Sequence, residues 1–291
     1  MVSLVTFELE QHDLKKHNLM TYTLQRGTSP LLVSMPHIGR DIPTHLQDAY
    51  DPRALAVEDT DWHLERLYNF LPELGASVLQ PRFSRYVIDL NRPPDDAPMY
   101  PGASNTELCP TRFFTGDPLY KPGQTPNADE RAARRHTFWL PYHTALAEEL
   151  ARIKTQHGYV LLWDAHSIRS QIPWLFEGRL PDLNIGTANG ASADNTIANA
   201  VVQAVVEFVA IANVPKVTHV FNGRFKGGYI TRHYGNPVNH IHAVQLEKCQ
   251  SLYMQEETPF AYDEARARQI QPLLQSMMES ALQAGKILYG S

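Results

Sequence analysis

The sequence predicts an α/β protein with a central mixed, mostly parallel sheet flanked by helices on both faces. Three observations carry that expectation. Apolar runs such as Leu31-Leu32-Val33 and Val160-Leu161-Leu162-Trp163, bounded by turn formers, read as strands buried on both faces. Stretches of helical periodicity separate these runs along the chain. Strands that alternate with helices build a mostly parallel sheet covered on both sides.

Taken in order, residues 1–30 read as a short edge strand or hairpin and 31–35 as the first core strand. Over 58–73, apolar residues at helical spacing (Trp62, Leu64, Leu67, Tyr68, Leu71) predict a helix that stops at Gly75. Residues 77–80 and 86–90 read as strands. Residues 92–126 are rich in Pro, Gly, Asp and Asn and lack periodicity, the pattern of a long functional loop or lid. Asn127 then caps a long helix, with acids in its first turn, that runs to Gln156 and stops at Gly158. The strand that ends at His166 follows, and then an irregular stretch over 168–193. Asp194 or Asn195 caps an apolar helix over 196–212. Residues 217–221, 229–231 and 243–246 read as strands, and 263–284 as a closing amphipathic helix with Gly285 as its stop.

Composition narrows the class. With 291 residues, 43% hydrophobic and 20% charged, the chain resembles ordinary soluble globular proteins. A net charge of −5 without basic stretches argues against a nucleic-acid partner. No apolar stretch is long enough to span a bilayer, so no membrane partner is expected. Residues 1–17 lack the apolar core of a signal peptide, and the two cysteines, Cys109 and Cys249, make no disulfide framework. Both features fit a cytoplasmic location. Without repeats or linkers, one domain is expected over 1–291, with the irregular loop at about 92–126.

The chemistry-bearing residues sit at strand ends. His37 follows the run 31–35 and His166 ends the run 159–163 plus Asp164-Ala165. In open α/β sheets ligands bind beyond the carboxyl ends of strands. The acids Glu58, Asp59 and Asp61 lie between the two histidines, and one of them can complete a set of two His and one carboxylate, which suits a hydrolytic metal. Asp61 is preferred, then Asp59, then Glu58. Asp164, two residues before His166 on the same strand face, is placed to orient its imidazole. Asn91 and Arg92 enter the long loop and suit a carboxylate ligand. Arg85 suits a ligand equally well or an ion pair with Asp89, and Arg232 lies in a second basic spot after Gly227-Gly228. Glu247 ends a late strand, where a base could take a proton from water.

These segments together (Ser34-Met35-Pro36-His37-Ile38-Gly39, Asp59-Thr60-Asp61-Trp62, Ser84 through Arg92, Asp164-Ala165-His166-Ser167 and Gln245-Leu246-Glu247) resemble the N-formylglutamate amidohydrolase family over about residues 30–255. The resemblance implies hydrolysis of N-formyl-L-glutamate to L-glutamate and formate, a step of histidine degradation, on a zinc-exopeptidase-like fold. It implies Zn2+, or another divalent transition metal, on His37, Asp61 and His166, with Glu247 as the base. A small dicarboxylate would be held by Asn91 and Arg92 at one end and by Arg232 or Arg85 at the other. In similar zinc carboxypeptidases the acidic ligand lies three residues after the first His. Here that position is Arg40, so the acid is expected from 58–61. Two alternatives remain: a related zinc amidohydrolase acting on another N-acyl amino acid, and a non-catalytic dicarboxylate-binding protein. No oligomeric interface is legible.

Overall fold

A computed structural model describes residues 20–99, 106–211 and 216–290. Its centre is a seven-stranded sheet of order β1-β3-β2-β4-β7-β5-β6. The strands are β1 (Tyr22–Gln25), β2 (Leu31–Ser34), β3 (Ser77–Pro81), β4 (Val160–Ile168), β5 (Leu183–Gly186), β6 (His219–Phe221) and β7 (Ile241–Cys249). β3, β2, β4 and β7 run parallel to their neighbours in that row, as do β5 and β6, whereas β1–β3 and β5–β7 are antiparallel. The mixed, mostly parallel sheet is thus as the sequence predicts.

The helices are α1 (Thr44–Gln47), α2 (Leu64–Leu67), α3 (Ala128–Arg134), α4 (Leu140–His157), α5 (Asn195–Ala210), α6 (Tyr229–Tyr234) and α7 (Glu264–Tyr289). They cover both faces because the buried strands are apolar on both. Leu31 and Val33 of β2 pack with α5, α7 and the α2 region, while Leu32 between them packs with α4 on the opposite side. The Asn127 side chain accepts from Glu130 N at 2.9 Å and caps α3 as expected. Gly158 ends α4 at φ +80°, a conformation that favours glycine. Asp194, not Asn195, caps α5 by accepting from Thr196 N at 2.7 Å. The chain from α3 to α4 passes through one π-type turn, Arg135–Trp139, that the periodicity does not reveal.

Several expectations are corrected. The helix expected over 58–73 shrinks to α2 with turns on either side. Residues 86–90 form turns rather than a strand: Val87 N bonds to Ser84 O and Asp89 N bonds to Leu108 O. Residues 229–231 begin helix α6, because Asn91 Oδ1 accepts from Ile230 N at 2.8 Å and supplies a cap from elsewhere in the chain. The irregular stretch 168–193 contains β5. Gly285 lies inside α7, which stops at Gly290. Cys109 and Cys249 are buried free thiols. Residues 1–19, part of the N-terminal expectation, lie outside the described residues, as do 100–105 within the 92–126 segment. Among the described residues no helix is long and apolar enough to cross a membrane.

Candidate active site

The site forms where β2 and β4 lie side by side. Their register pairs Ser34 with Asp164, so the chain beyond Ser34 delivers His37 next to the end of β4, where His166 points to the same side as Asp164. β4 in turn pairs His166 with Glu247 of β7, which places those side chains on one face. Asp61 is drawn in by its backbone, whose N–H donates to His37 O at 3.0 Å. The imidazole centroids of His37 and His166 are 4.8 Å apart.

Asp61 Oδ2 faces Nδ1 of both rings, at 3.8 Å from His37 and 3.2 Å from His166, and also accepts from Ser167 N at 3.1 Å. One donor atom from each of His37, Asp61 and His166 lies within 4.8 Å of the others. The far side of each ring meets a buried carboxylate. His37 Nε2 is 2.7 Å from Asp89 Oδ1. His166 Nε2 is 3.0 Å from Asp164 Oδ1, in ion-pair contact without an aligned hydrogen bond, and 2.9 Å from Asn91 Nδ2. A carboxylate behind each Nε2 leaves Nδ1 facing Asp61, where it could coordinate a metal. The donor set therefore fits a divalent metal held by two imidazoles and one carboxylate.

The other two acids are occupied. Glu58 is bound by Arg53, with Nε to Oε2 at 3.0 Å. Asp59 accepts from Tyr86 Oη and Phe114 N at 2.8 Å each, and from Arg169 Nη2 at 2.6 Å. Asp59 thereby fastens the segment around Phe114 to the rim of the site.

Asp61, Asp89, Asp164 and Glu247 are buried here against the buried cations Arg85 and Lys248. Burial works against a charged His166, but Asp164 and Asp61 outweigh it and push the imidazole up to about 10. Burial, reinforced by Arg85, holds His37 below its usual value. Asp61 stays low despite its burial because both imidazoles favour its charge. Burial pushes Glu247 up to about 8 and Lys248 down to about 7. Glu247 Oε1 is buried with no hydrogen-bond partner, and Lys248 Nζ donates to His166 O at 2.7 Å.

A cavity of about 380 Å³ opens beside these groups, lined by His37, His166 and Glu247 among others. Arg85, Asn91 and Arg92 also line it, and Arg232 does not. Arg85 is committed to Asp89 Oδ2 at 2.7 Å and lies 4.7 Å from the Phe114 ring centre. Arg92 donates to Thr106 O, Thr106 Oγ1 and Asn91 O. The Asn91 amide is occupied: Oδ1 caps α6 and Nδ2 reaches Asp164 Oδ2 at 3.3 Å. Arg232 Nε donates to Gly227 O at 2.8 Å. The sequence reading missed Asp89 as the partner of His37, and missed Arg224, Lys226 and Gln245 in the wall. Gln245 was legible in principle, since it stands two residues before Glu247 on one strand face. Nothing local marks Lys226 apart from the following glycines.

Known proteins resemble the chain along most of its length. The model of the N-formylglutamate amidohydrolase family matches residues 29–254. An N-formylglutamate deformylase of Pseudomonas aeruginosa is 50% identical over 267 residues, which cover 92% of this chain and 98% of the relative. One from Pseudomonas putida is 49% identical over 267 residues, 92% of this chain and 97% of the relative. The crystal structure of an N-formylglutamate amidohydrolase from Ralstonia eutropha JMP134 superposes with TM-score 0.74 at 22% identity, covering 92% of this chain and 98% of that one, a likeness of fold.

Proposed function

The chain belongs to the N-formylglutamate amidohydrolase family, and from that premise we propose how its pocket hydrolyses N-formylglutamate: a divalent metal on His37, Asp61 and His166, a proton carrier at Glu247, and a cationic wall for a small dicarboxylate. The observation that carries this reading is the meeting of the three donor residues within 4.8 Å, beside Glu247 in one cavity. A bound divalent ion supplies Lewis acidity, bringing the pKa of water toward ~7 and polarising a carbonyl oxygen.

The protein's own groups do the rest. Asp89 and Asp164 hold the two imidazoles with Nδ1 facing Asp61. Glu247 takes one proton from water as its oxygen attacks the formyl carbon. It returns that proton to the amide nitrogen as the C–N bond breaks, giving formic acid and the amine of glutamate, and the acid's proton passes to the amine to leave formate and the ammonium. Arg92 holds one carboxylate of the substrate in a charge-assisted pair. Arg85 keeps Asp89 and Asp61 compensated and Phe114 in place, so it shapes the wall more than it offers a free hand.

Metal removal tests the reading. Protein stripped with a chelator is expected to release no formate from N-formyl-L-glutamate, and added Zn2+, Co2+ or Mn2+ restores release. Undiminished release from protein verified as metal-free overturns it.

A further inference from the structure

Four residues that carry cationic side chains line the cavity: Arg85, Arg92, Arg224 and Lys226. Three have work elsewhere. Arg85 is bound to Asp89 and lies near Asp61. Arg92 spends three of its five N–H groups on Thr106 and Asn91, which leaves two for one carboxylate. Arg224 is exposed at the mouth, where Nη2 bonds to Leu175 O and the guanidinium lies 5.4 Å from the Phe176 ring centre. Among the described residues, no hydrogen bond or ion pair occupies the half-buried Lys226 ammonium.

The backbone beneath Lys226 is nevertheless fixed. Its carbonyl accepts from Ala188 N at 2.6 Å, and Gly228 N donates to Gln245 Oε1 at 2.6 Å. Gly186 lets this segment approach: a Cβ there would stand 2.6 Å from the Lys226 carbonyl carbon. A lysine with no partner among the described residues, on a held backbone in the wall of a cavity, is a cation kept for a ligand. Its charge on a flexible stem suits a carboxylate of variable reach.

We infer that Lys226 is the specificity-determining residue that binds the side-chain carboxylate of a glutamate-type substrate, while Arg92 takes the carboxylate nearer the scissile bond. The inference rests on the proposed function above and replaces Arg232 in the clamp. Lys226 then separates a dicarboxylate from its neutral amide analogue.

The experiment compares the wild type, Lys226→Met and Lys226→Arg, each loaded with Zn2+. Rates are measured on N-formyl-L-glutamate and N-formyl-L-glutamine, and binding of L-glutamate and L-glutamine by calorimetry. Lys226→Met is expected to lower kcat/KM for N-formyl-L-glutamate about ten- to hundredfold, chiefly through KM, with N-formyl-L-glutamine nearly unchanged. L-glutamate binding weakens by a similar factor, and Lys226→Arg recovers most of the loss. An unchanged ratio between the two substrates, or an equal loss on both in a variant that melts like the wild type, overturns the inference. If the wild type cleaves neither formyl compound, the proposed function fails by itself, and the calorimetric comparison still decides the role of Lys226.

Discussion

Asp61 faces the two imidazoles because its rivals are already taken. Arg53 holds Glu58, and Tyr86, Phe114 N and Arg169 use both oxygens of Asp59. Local spacing within 58–61 does not separate the three acids, since any of them can suit a helix start; only their partners do. Glu247 differs from all of these in having a buried oxygen with no partner. Glu247→Gln preserves volume and strand register but cannot accept a proton. It is expected to lower kcat by roughly 10²–10⁴ with little change in KM, while metal content and melting temperature hold. Steady-state kinetics beside metal analysis checks this, and a variant with wild-type kcat would remove Glu247 from the mechanism.

At the scale of elements, the parallel pairs β2–β4 and β4–β7 assemble the site by bringing the ends of three strands together. α6 depends on a distant residue: Asn91 caps its start and also touches Asp164 and His166. The same asparagine therefore links the second basic segment to the strand face that carries Asp164 and His166. Gly285 shows local and tertiary rules pulling apart. By propensity, Gly285→Ala inside α7 should gain about 1 kcal/mol. But a Cβ there meets the buried Tyr159 ring at 2.5 Å, and that ring is stacked on Tyr289 with centroids 4.8 Å apart. Overpacking outweighs propensity, so Gly285→Ala is expected to destabilise the protein by roughly 1–3 kcal/mol. Thermal unfolding measures it, and a raised melting temperature would mean the α7–β4 contact yields freely.

For the whole molecule, buried histidines tie stability to pH. His143 is buried with Nε2 against Leu90 O and Nδ1 against Tyr234 Oη, both at 2.9 Å, and burial pushes it down to about 3. His242 is likewise buried and pushed down to about 4 by burial. In the unfolded chain a histidine protonates near 6.5. Below that pH the unfolded state binds more protons, so the stability these residues contribute is present above about 6.5 and lost as pH falls toward 4. His143→Gln is expected to flatten the fall in unfolding free energy by about 1.4 kcal/mol per pH unit. Urea unfolding at pH 6.5, 5.5 and 4.5 tests it, and parallel curves for variant and wild type would refute the assignment.

The sequence by itself determined the sheet type, the Asn127 cap and Gly158 stop at the two ends of the helical stretch between them, and the placement of His37 and His166 near the carboxyl ends of β2 and β4. Buried strands and capped helices leave their marks in consecutive residues, where hydrophobic period and turn chemistry can be read. Tertiary structure alone decided that Asp61 faces the rings, that Asp89 backs His37, that 229–231 is helical, and that Arg232 lies off the cavity while Lys226 lines it. Those outcomes depend on partners far along the chain, and a side chain's charge or hydrogen-bonding capacity acquires a direction only when the packed neighbours have claimed or spared it.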